Sequence, residues 1–272
     1  MNTRRLASLL VPLAILVGAC SQGDAPTSSD AETDGTPSEV AAACAPDDDG
    51  LVLPDGFCAI LVHEGIGPAR HLAVAENGDV FVALRDRRET RDGPVVPGGV
   101  AALRDTDGDA RPDTVARFGQ VGGNDVLLAD GYLWFAPPDG VLRYPLADGA
   151  LVPSGPPETV VSGLPNVRNH TAKSIALRDG GLFVNIGSPS NACMEEARTP
   201  GSSGMDPCPE LETRAGIWRF DADATGQTQD DGTRWATGMR NTVALAAHPR
   251  TGVLYGAIHG RDQLHGMFPQ RF

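Results

Sequence analysis

Residues Asn166–Asn191 read NVRNHTAKSIALRDGGLFVNIGSPSN, and the arrangement of apolar and turn-forming residues in them indicates the type of fold. Two apolar runs, Ser174–Leu177 and Leu182–Ile186, lie on either side of the polar segment Arg178–Gly181. Short apolar runs joined by a turn that contains glycine are typical of a β-hairpin. The stretch therefore predicts two antiparallel strands.

His170 lies just before the first of these strands, among polar neighbours. Because a histidine has an ordinary pKa near neutral pH, one at the mouth of a strand can act as a general base. An exposed histidine, or a core histidine whose ring is fully hydrogen-bonded, explains the same local sequence. The choice between these interpretations depends on the rest of the chain.

The same strand–turn–strand pattern occurs four times. The first apolar residues after the four turns are Val80, Leu133, Leu182 and Leu254, which are 53, 49 and 72 residues apart. Between the hairpins, three further segments open with glycine and an apolar residue, so that each unit has about four strands, as a β-propeller blade has. The hairpins are His71–Leu84, Asp125–Phe135, Ser174–Ile186 and Val243–Ile258, and the further segments are Gly99–Arg104, Gly140–Leu146 and Gly216–Asp221.

The repeat predicts an all-β fold, an incomplete β-propeller with about four blades in residues 44–272. A β-sandwich made of similar hairpins is the alternative, but alternating long and short hairpins at blade-like spacing suit it poorly. A ring of six blades would need roughly a hundred or more further residues at this spacing. We therefore expect the chain to be truncated at its C-terminus relative to a complete propeller.

Composition and charge narrow the classes of partner. The chain has 33 Gly and 22 Pro, which favours short strands and turns over long helices. Its formal net charge is -13 and it has no basic cluster. Nucleic acid and an anionic membrane surface are therefore poor partners.

The N-terminus has the order of features of a bacterial lipoprotein signal. Arg4 and Arg5 precede the apolar run Leu6–Val17, which is too short to span a bilayer, and LVGAC ends at Cys20. Residues 1–19 are thus predicted to be a signal peptide and Cys20 a lipidated residue, with an ordinary secretory signal as the alternative. The protein would be exported and anchored by lipid alone in the bacterial envelope, at the outer membrane or the periplasmic face. Residues 20–43 read as an acidic, disordered tether.

Four cysteines follow Cys20, and they form two local pairs, Cys44 with Cys58 and Cys193 with Cys208. Four cysteines allow three connectivities. The local pairing is the prediction, because it closes two loops that contribute roughly 3 kcal/mol each in the loop-entropy description. A metal site is the alternative, but no CxxC spacing supports it.

An acidic segment could hold a cation. Asp105, Asp107, Asp109 and Asp113 occupy positions 1, 3, 5 and 9 of a loop with a glycine, as in calcium-binding loops. Position 12 is Ala116, so the closing bidentate acid is missing. A solvated turn explains the segment equally well.

Two polar segments flank the fourth hairpin: Arg240-Asn241 precedes it, and His259-Gly260-Arg261 ends it. Arginine presents a planar fork of donors that suits a carboxylate or a quinone oxygen. Together with His170, these segments all lie at the mouths of inner hairpins. We therefore expect them to share one face of the propeller, over its central channel.

The segments Leu53–Phe57 (LPDGF), Asn169–Thr171 (NHT), Gly238–Asn241 (GMRN) and Ile258–Asp262 (IHGRD) resemble the soluble quinoprotein glucose/sorbosone dehydrogenase family, in particular its sorbosone-dehydrogenase-like branch. The resemblance extends over about Cys44–Phe272 and corresponds to the N-terminal two-thirds of such a domain. It implies a six-bladed propeller that binds pyrroloquinoline quinone (PQQ) and calcium.

The resemblance also implies roles for the matching positions. His170 corresponds to the general base, which takes a hydroxyl proton while hydride passes from the sugar to the quinone. Arg240 corresponds to an arginine that is both catalytic and cofactor-binding, since it stabilises charge on the quinone oxygens. Asn241 and His259 correspond to further contacts with the cofactor.

Two more contacts are implied by position. The backbone carbonyls of Gly260 and Arg261 correspond to the turn that holds calcium against PQQ, where the ion acts as a Lewis acid. Gln120, in the segment QVGGN, falls where the family supplies a polar contact beside cofactor and substrate.

The implied reaction is PQQ-dependent oxidation of an aldose sugar or a sugar aldehyde. Asn169 departs from the family, which often has an acid before the base, and the chain ends before the blades that clamp the PQQ carboxylates. An inactive fragment of such an enzyme fits the same sequence. A non-catalytic propeller lipoprotein that binds sugars or proteins is the alternative. A gluconolactonase-type hydrolase is disfavoured, because no repeated acidic set occurs at the strand mouths.

Overall fold

The computed structural model describes residues 51–167, 169–196 and 198–262. The predicted signal peptide, Cys20, the tether and Cys44 lie outside the described residues and stay predictions. In the described ranges, no helix has the length and apolar character needed to cross a membrane.

Three four-stranded antiparallel sheets and one two-stranded sheet form the blades, with the first strand of each blade at one edge of its sheet. Blade 1 contains β1 (Ala69–Val74) and β2 (Val80–Leu84), then, after the short ribbon β3 (Arg87–Arg88) and β4 (Val95–Val96), β5 (Gly99–Arg104) and β6 (Thr114–Phe118). Blade 2 contains β7 (Asp125–Ala129), β8 (Tyr132–Ala136), β9 (Val141–Pro145) and β10 (Glu158–Val161). Blade 3 contains β11 (Ile175–Arg178), β12 (Gly181–Ile186), β13 (Gly216–Asp221) and β14 (Thr233–Thr237), and blade 4 contains β15 (Thr242–Ala247) and β16 (Leu254–Ile258).

Local turn chemistry explains the inner hairpins. Asp179 and Gly180, which connect β11 to β12, have φ values of +47° and +66°, and Arg178 pairs directly with Gly181. A two-residue turn with both central residues in the left-handed region matches the twist of the strands it joins. The Asp-Gly step therefore fixes the register that puts Leu182, Val184 and Ile186 into the core.

The innermost strands of successive blades contact each other in chain order, β1 with β7, β7 with β11, and β11 with β15. Asp125, at the start of β7, ties three of them together. Its carboxylate lies 2.8 Å from Nδ1 of His71 in β1 and accepts a 2.9 Å hydrogen bond from the backbone N–H of Ile175 in β11. The hydrogen bond to Asp125 is the main cause that raises the pKa of His71.

Apolar layers fill the spaces between blades. Phe81, Leu133 and Phe135 belong to a buried cluster of blades 1 and 2, and Trp134 and Trp218 belong to a cluster of blades 2 and 3. The sheets thus pack in series around an axis, in contrast to the two facing sheets of a sandwich. The incomplete β-propeller predicted from the repeat is confirmed, with all four predicted hairpins as inner hairpins.

A connection of 29 residues, from 187 to 215, joins β12 to β13. It carries a disulfide between Cys193 and Cys208, the local pairing that the sequence predicts. Because it begins at the end of β12 and returns to the start of β13, this connection lies at the same sheet edge as the mouths of the inner hairpins.

Candidate active site

A cavity of about 360 Å³ opens at the edge of blades 1 to 4 where innermost strands begin and second strands end. Antiparallel pairing brings these two kinds of strand end to one side of every blade. The cavity thus collects polar groups from segments far apart in sequence. Its polar lining includes Arg85, Asp86, Asn124, His170, Thr171 and Asn241.

The hydrogen bonds of His170 determine which ring nitrogen carries the proton. Its Nδ1 lies 2.7 Å from the backbone oxygen of Ser188. A carbonyl oxygen can only accept, so Nδ1 carries the hydrogen in the neutral ring and Nε2 keeps its lone pair. Among the described residues no group hydrogen-bonds to Nε2. The ring is therefore set up to accept a proton at Nε2.

The surroundings also favour the neutral ring. Burial is the main cause that lowers the pKa of His170, and the nearby guanidinium groups of Arg240 and Arg214 add to it, while the Ser188 carbonyl and Asp262 oppose it. Removal from water disfavours a charged imidazolium, and a neighbouring cation disfavours it further. His170 is thus neutral at pH 7, which is the state that a general base needs.

Asn241 lies beside His170 in the cavity and is fixed by a buried amide network. Its Oδ1 accepts a 3.3 Å hydrogen bond from Nδ2 of Asn185, which is fully buried. Asn185 also accepts from the backbone N–H of Thr242 at 3.0 Å. The described residues provide no acceptor for Nδ2 of Asn241. This amide group can therefore donate to a bound molecule.

Gly187 brings His170 and Asn241 close together. A Cβ atom at Gly187 would lie 2.5 Å from Cβ of His170, 2.6 Å from its carbonyl oxygen and 3.1 Å from Oδ1 of Asn241. Contacts under 3.0 Å with backbone atoms require a shift of the chain. Glycine is needed here for close approach, since only a hydrogen atom fits.

Arg240 lies behind the cavity wall. Its side chain is buried, and its Nε donates to the oxygen of Asn191 at 3.1 Å, while Nη2 lies 3.4 Å from Asp262. The backbone carbonyl of Arg240 accepts a 2.8 Å hydrogen bond from the backbone N–H of Ser188. Ser188 is also the residue whose carbonyl holds the His170 ring. The structure therefore brings Arg240 to His170 but engages its guanidinium with protein groups.

His259, Gly260 and Arg261 follow β16 at the same edge. The backbone N–H of His259 donates to the oxygen of Asn241 at 2.9 Å. Among the described residues no donor binds the carbonyl oxygens of Gly260 and Arg261, so both can bind a cation. Arg261 also has a buried Nη1 with no hydrogen-bond partner in the part of the chain that the structure describes.

Gln120 lies elsewhere. It lines a separate cavity with Phe118, Leu142 and Tyr144, between the outer part of blade 1 and blade 2. The end of the same segment, Gly122 to Asn124, reaches the His170 cavity instead. Gln120 therefore does not line the His170 cavity, and its role as a polar contact beside the cofactor stays a prediction.

The acidic segment also lies apart from the cavity, in the turn between β5 and β6. Asp105, Asp107 and Asp109 are exposed, and one carboxylate oxygen of each lies within 4.8 Å of the others. Asp113 instead accepts from N and Oγ1 of Thr106, at 2.7 Å each. The carboxylates of Asp105 and Asp109 already accept hydrogen bonds from backbone N–H groups of the same turn.

Several residues of the site are not found from the motifs. Asp86 lines the cavity and Asn185 supports Asn241 from behind it, but neither has a recognisable spacing, because only the propeller geometry brings them there. Asn124 ends the segment QVGGN that the resemblance singles out. Lys173 had a detectable signal, since it is the only lysine among 272 residues and lies three positions after His170. It is fully buried.

The TrAA12-like family model matches residues 51–270. No curated protein matches the chain. The holo form of the pyranose dehydrogenase PQQ domain from Coprinopsis cinerea has a similar structure, with a TM-score of 0.61 and 17% identity over 81% of this chain and 51% of that one.

The family AA12 carbohydrate-active enzyme from Trichoderma reesei is also similar. Its calcium structure has a TM-score of 0.57 and 18% identity, over 78% of this chain and 50% of that one. At these identities the likeness shows a shared fold. The chain spans about half the length of both solved chains, less than the two-thirds that the sequence resemblance implies.

Proposed function

Because the chain belongs to the TrAA12-like family, we propose that it is part of a PQQ-dependent dehydrogenase that oxidises an aldose sugar or a sugar aldehyde. The observation that carries the proposal is the neutral imidazole of His170, which lines a cavity and whose Nε2 has no hydrogen-bond partner among the described residues. The PQQ domain among the structural neighbours and the calcium structure among them support the choice of cofactors.

The residues of the cavity fit such a cofactor. PQQ is a flat, anionic quinone, and a cavity of about 360 Å³ has the size of small-molecule sites. Arg85 and Asn241 can donate to anionic oxygens. Asp86 is the one acid in the lining, and its Oδ1 already accepts from the N–H of Gly98 at 2.8 Å.

The other cofactor contacts form a second layer. Arg240 and His259 would both act from behind Asn241. His259 would position it through the hydrogen bond from its backbone N–H to the Asn241 carbonyl, and Arg240 would contribute the positive charge of its buried guanidinium. The carbonyl oxygens of Gly260 and Arg261, which accept no hydrogen bond from the part of the chain that the structure describes, would hold calcium, since a hard cation prefers oxygen ligands.

When bound, PQQ would supply the quinone that accepts a hydride from the sugar carbon. The part of His170 is to remove the hydroxyl proton of the same carbon at Nε2. As the ring becomes an imidazolium, its Nδ1–H remains hydrogen-bonded to the Ser188 carbonyl, which stabilises the charge and fixes the ring. Asn241 Nδ2 would orient the oxygen beside the base.

The test uses the full-length protein that contains this chain, loaded with PQQ and calcium, with dye reduction followed against a panel of aldoses and aldehydes. Reduction is expected with at least one sugar. Substitution His170→Gln should lower kcat by about 10²–10⁴-fold and leave PQQ bound. The exposed His63→Gln is the matched control and should keep wild-type turnover.

Two results would contradict the proposal. Absence of dye reduction with every sugar, together with loss of quinone absorbance after desalting, would favour a propeller that only binds its ligands. Wild-type turnover in His170→Gln would remove the assigned base.

We also propose that the protein is exported and anchored through lipid on Cys20. The disulfide between Cys193 and Cys208 supports export, since such bonds persist in oxidising compartments. Substitution Cys20→Ser should move the protein from the detergent phase to the aqueous phase in a phase-separation assay. Unchanged partition would contradict the anchor.

A further inference from the structure

We propose that Lys173 and Arg214 are positioning residues for His170, two buried basic side chains that hold the backbone on either side of it. This inference rests on the proposed function in one respect, namely that His170 is the general base. It stands on the contacts of the two side chains, whichever sugar is oxidised.

Arg214, just before β13, contacts three backbone carbonyls. Its Nε donates to Gly187 O at 2.7 Å, Nη1 to Val167 O at 3.1 Å and Nη2 to Asn169 O at 2.9 Å. The side chain is buried. Because a guanidinium is a rigid planar fork, one group fixes the loop before β11 relative to the end of β12.

Lys173 closes the same loop from its other end. Its Nζ donates to Thr171 O at 2.7 Å and to Pro165 O at 2.9 Å. The residue has no exposed surface, and its own carbonyl accepts from Nδ2 of Asn124 in the cavity lining. Complete burial of an amine costs free energy, which indicates that the two hydrogen bonds of Lys173 are needed to hold this loop.

His170 lies between the two held peptide groups. Arg214 binds the carbonyl of Asn169 and Lys173 binds that of Thr171, so the residues directly before and after His170 are each fixed by a buried basic side chain. His170 itself has φ of +54°, in the left-handed region that a residue with a side chain rarely adopts. Such a conformation persists only where the surroundings impose it.

The two basic side chains differ in their electrostatic effect on the ring. Arg214 and Arg240 lower the pKa of His170, Asp262 raises it, and the pair Arg85 and Asp86 lies in the same cavity wall. Burial, followed by the charge of Arg214, lowers the pKa of Lys173 itself to about 7, so that much of this amine is uncharged at neutral pH. Loss of Arg214 should therefore alter both position and titration of the ring, and loss of Lys173 mainly position.

The first experiment follows the His170 ring by ¹⁵N NMR in the full-length protein, without substrate or added cofactor. In the wild type we expect a single Nδ1–H tautomer. In Arg214→Gln the pKa should rise, and in both Arg214→Gln and Lys173→Met the tautomer should become mixed. An unchanged tautomer in both variants would overturn the proposal.

The second experiment uses the fact that Lys173 is the only lysine of the chain. Acetic anhydride labelling with peptide mapping reports the opening of this loop through one amine. We expect protection in the wild type and labelling about tenfold faster in Arg214→Gln. Arg143→Gln is the matched control, since Arg143 of β9 donates to Glu158 in blade 2 and to Ala222 O just after β13, and it binds no group of the loop around His170. Equal labelling in both variants would mean general loosening and would overturn the proposal.

Arg214→Lys guards against a variant that fails to fold. A lysine keeps the charge but cannot reach three carbonyls, so the pKa of His170 should stay near that of the wild type while labelling of Lys173 remains faster. In the loaded enzyme, Lys173→Met should lower kcat about 100-fold with little change in KM. Failure of the dehydrogenase assay would leave the NMR and labelling results intact, so the two proposals fail separately.

Discussion

The loop from Pro165 to Lys173 and the turn from Asp105 to Asp113 are both polar segments that precede or follow a strand, yet the structure uses them differently. In the turn, Asp105 accepts from the N–H groups of Gly108 and Ala110, three and five residues away. In the loop, His170 binds Ser188, and Asn169 and Val167 bind Arg214, over separations of 18 to 47 residues. The turn is exposed, whereas the loop passes from exposed Asn169 through half-buried His170 to fully buried Lys173.

This difference teaches where chemistry can be expected. A turn whose polar groups form hydrogen bonds within the turn keeps its conformation whatever surrounds it, and its carboxylates stay hydrated. A loop held by distant groups has its side chains fixed relative to other blades, which is what a catalytic group requires. The predictions below test whether the loop depends on its distant contacts and the turn does not.

The largest effect is expected from Gly187→Ala. The new methyl group would lie 2.5 Å from Cβ of His170 and 2.6 Å from its carbonyl oxygen, so the base must move. We expect a loss of about 100-fold in kcat, because a shift of about 1 Å in a catalytic group has this effect, and a loss of about 1–3 kcal/mol in unfolding free energy. Steady-state kinetics and urea titration measure both.

Gly155→Ala is the control for that substitution. Gly155 has no atom within 4 Å of its added Cβ and lies outside the His170 cavity. Its activity should match the wild type. A normal kcat in Gly187→Ala would show that His170 tolerates displacement, and the contrast between loop and turn would lose its functional meaning.

The next effect concerns Asn185, which joins blade 3 to the start of β15. In Asn185→Ala, the buried N–H of Thr242 and the oxygen of Ala172 lose their partner, which should cost about 2–4 kcal/mol of unfolding free energy. Urea titration measures the loss. Asn77→Ala removes a local hydrogen bond from an exposed amide to Asp79, a buried carboxylate that Arg104 still binds, and should cost under about 1 kcal/mol. Equal losses of unfolding free energy in the two variants would mean that long-range and local hydrogen bonds stabilise the protein to the same extent.

A smaller effect is expected from pH. Burial lowers the pKa of His170, so the active neutral form should persist below the ordinary value of 6.5. As pH falls through the lowered pKa, the ring gains a proton and kcat/KM should fall about tenfold per pH unit. The acidic limb of the profile should therefore bend below pH 6.5, while intrinsic fluorescence confirms a folded protein. A bend above 6.5 would contradict the environment assigned to the ring.

Much of the fold could be predicted because it is encoded locally. The Asp179-Gly180 turn and the alternating apolar residues of β12 identify a hairpin in isolation, and repetition of that unit identifies a propeller. Parts of the site could be predicted as well, since His170 and Asn241 lie at strand mouths that a propeller brings to one edge. Asn185 and Arg214 could not be predicted, because the role of a buried amide or guanidinium depends on its hydrogen-bond partners. These partners come from parts of the chain that are distant in sequence.

The smallest effect is expected in the acidic turn, and it completes the contrast. Asp107 is exposed, and its Oδ1 accepts only a long 3.3 Å bond from Asp109 N, so Asp107→Asn keeps shape and removes one of several like charges. We expect a change within about 0.5 kcal/mol in unfolding free energy and the same kcat. Melting with and without calcium provides the decisive comparison. If calcium raises the Tm of the wild type but not of Asp107→Asn, the turn binds an ion. A turn whose groups are hydrogen-bonded locally could then still have a function. Equal calcium shifts in both proteins would confine the functional cation to the carbonyls of Gly260 and Arg261, beside the loop that distant contacts hold.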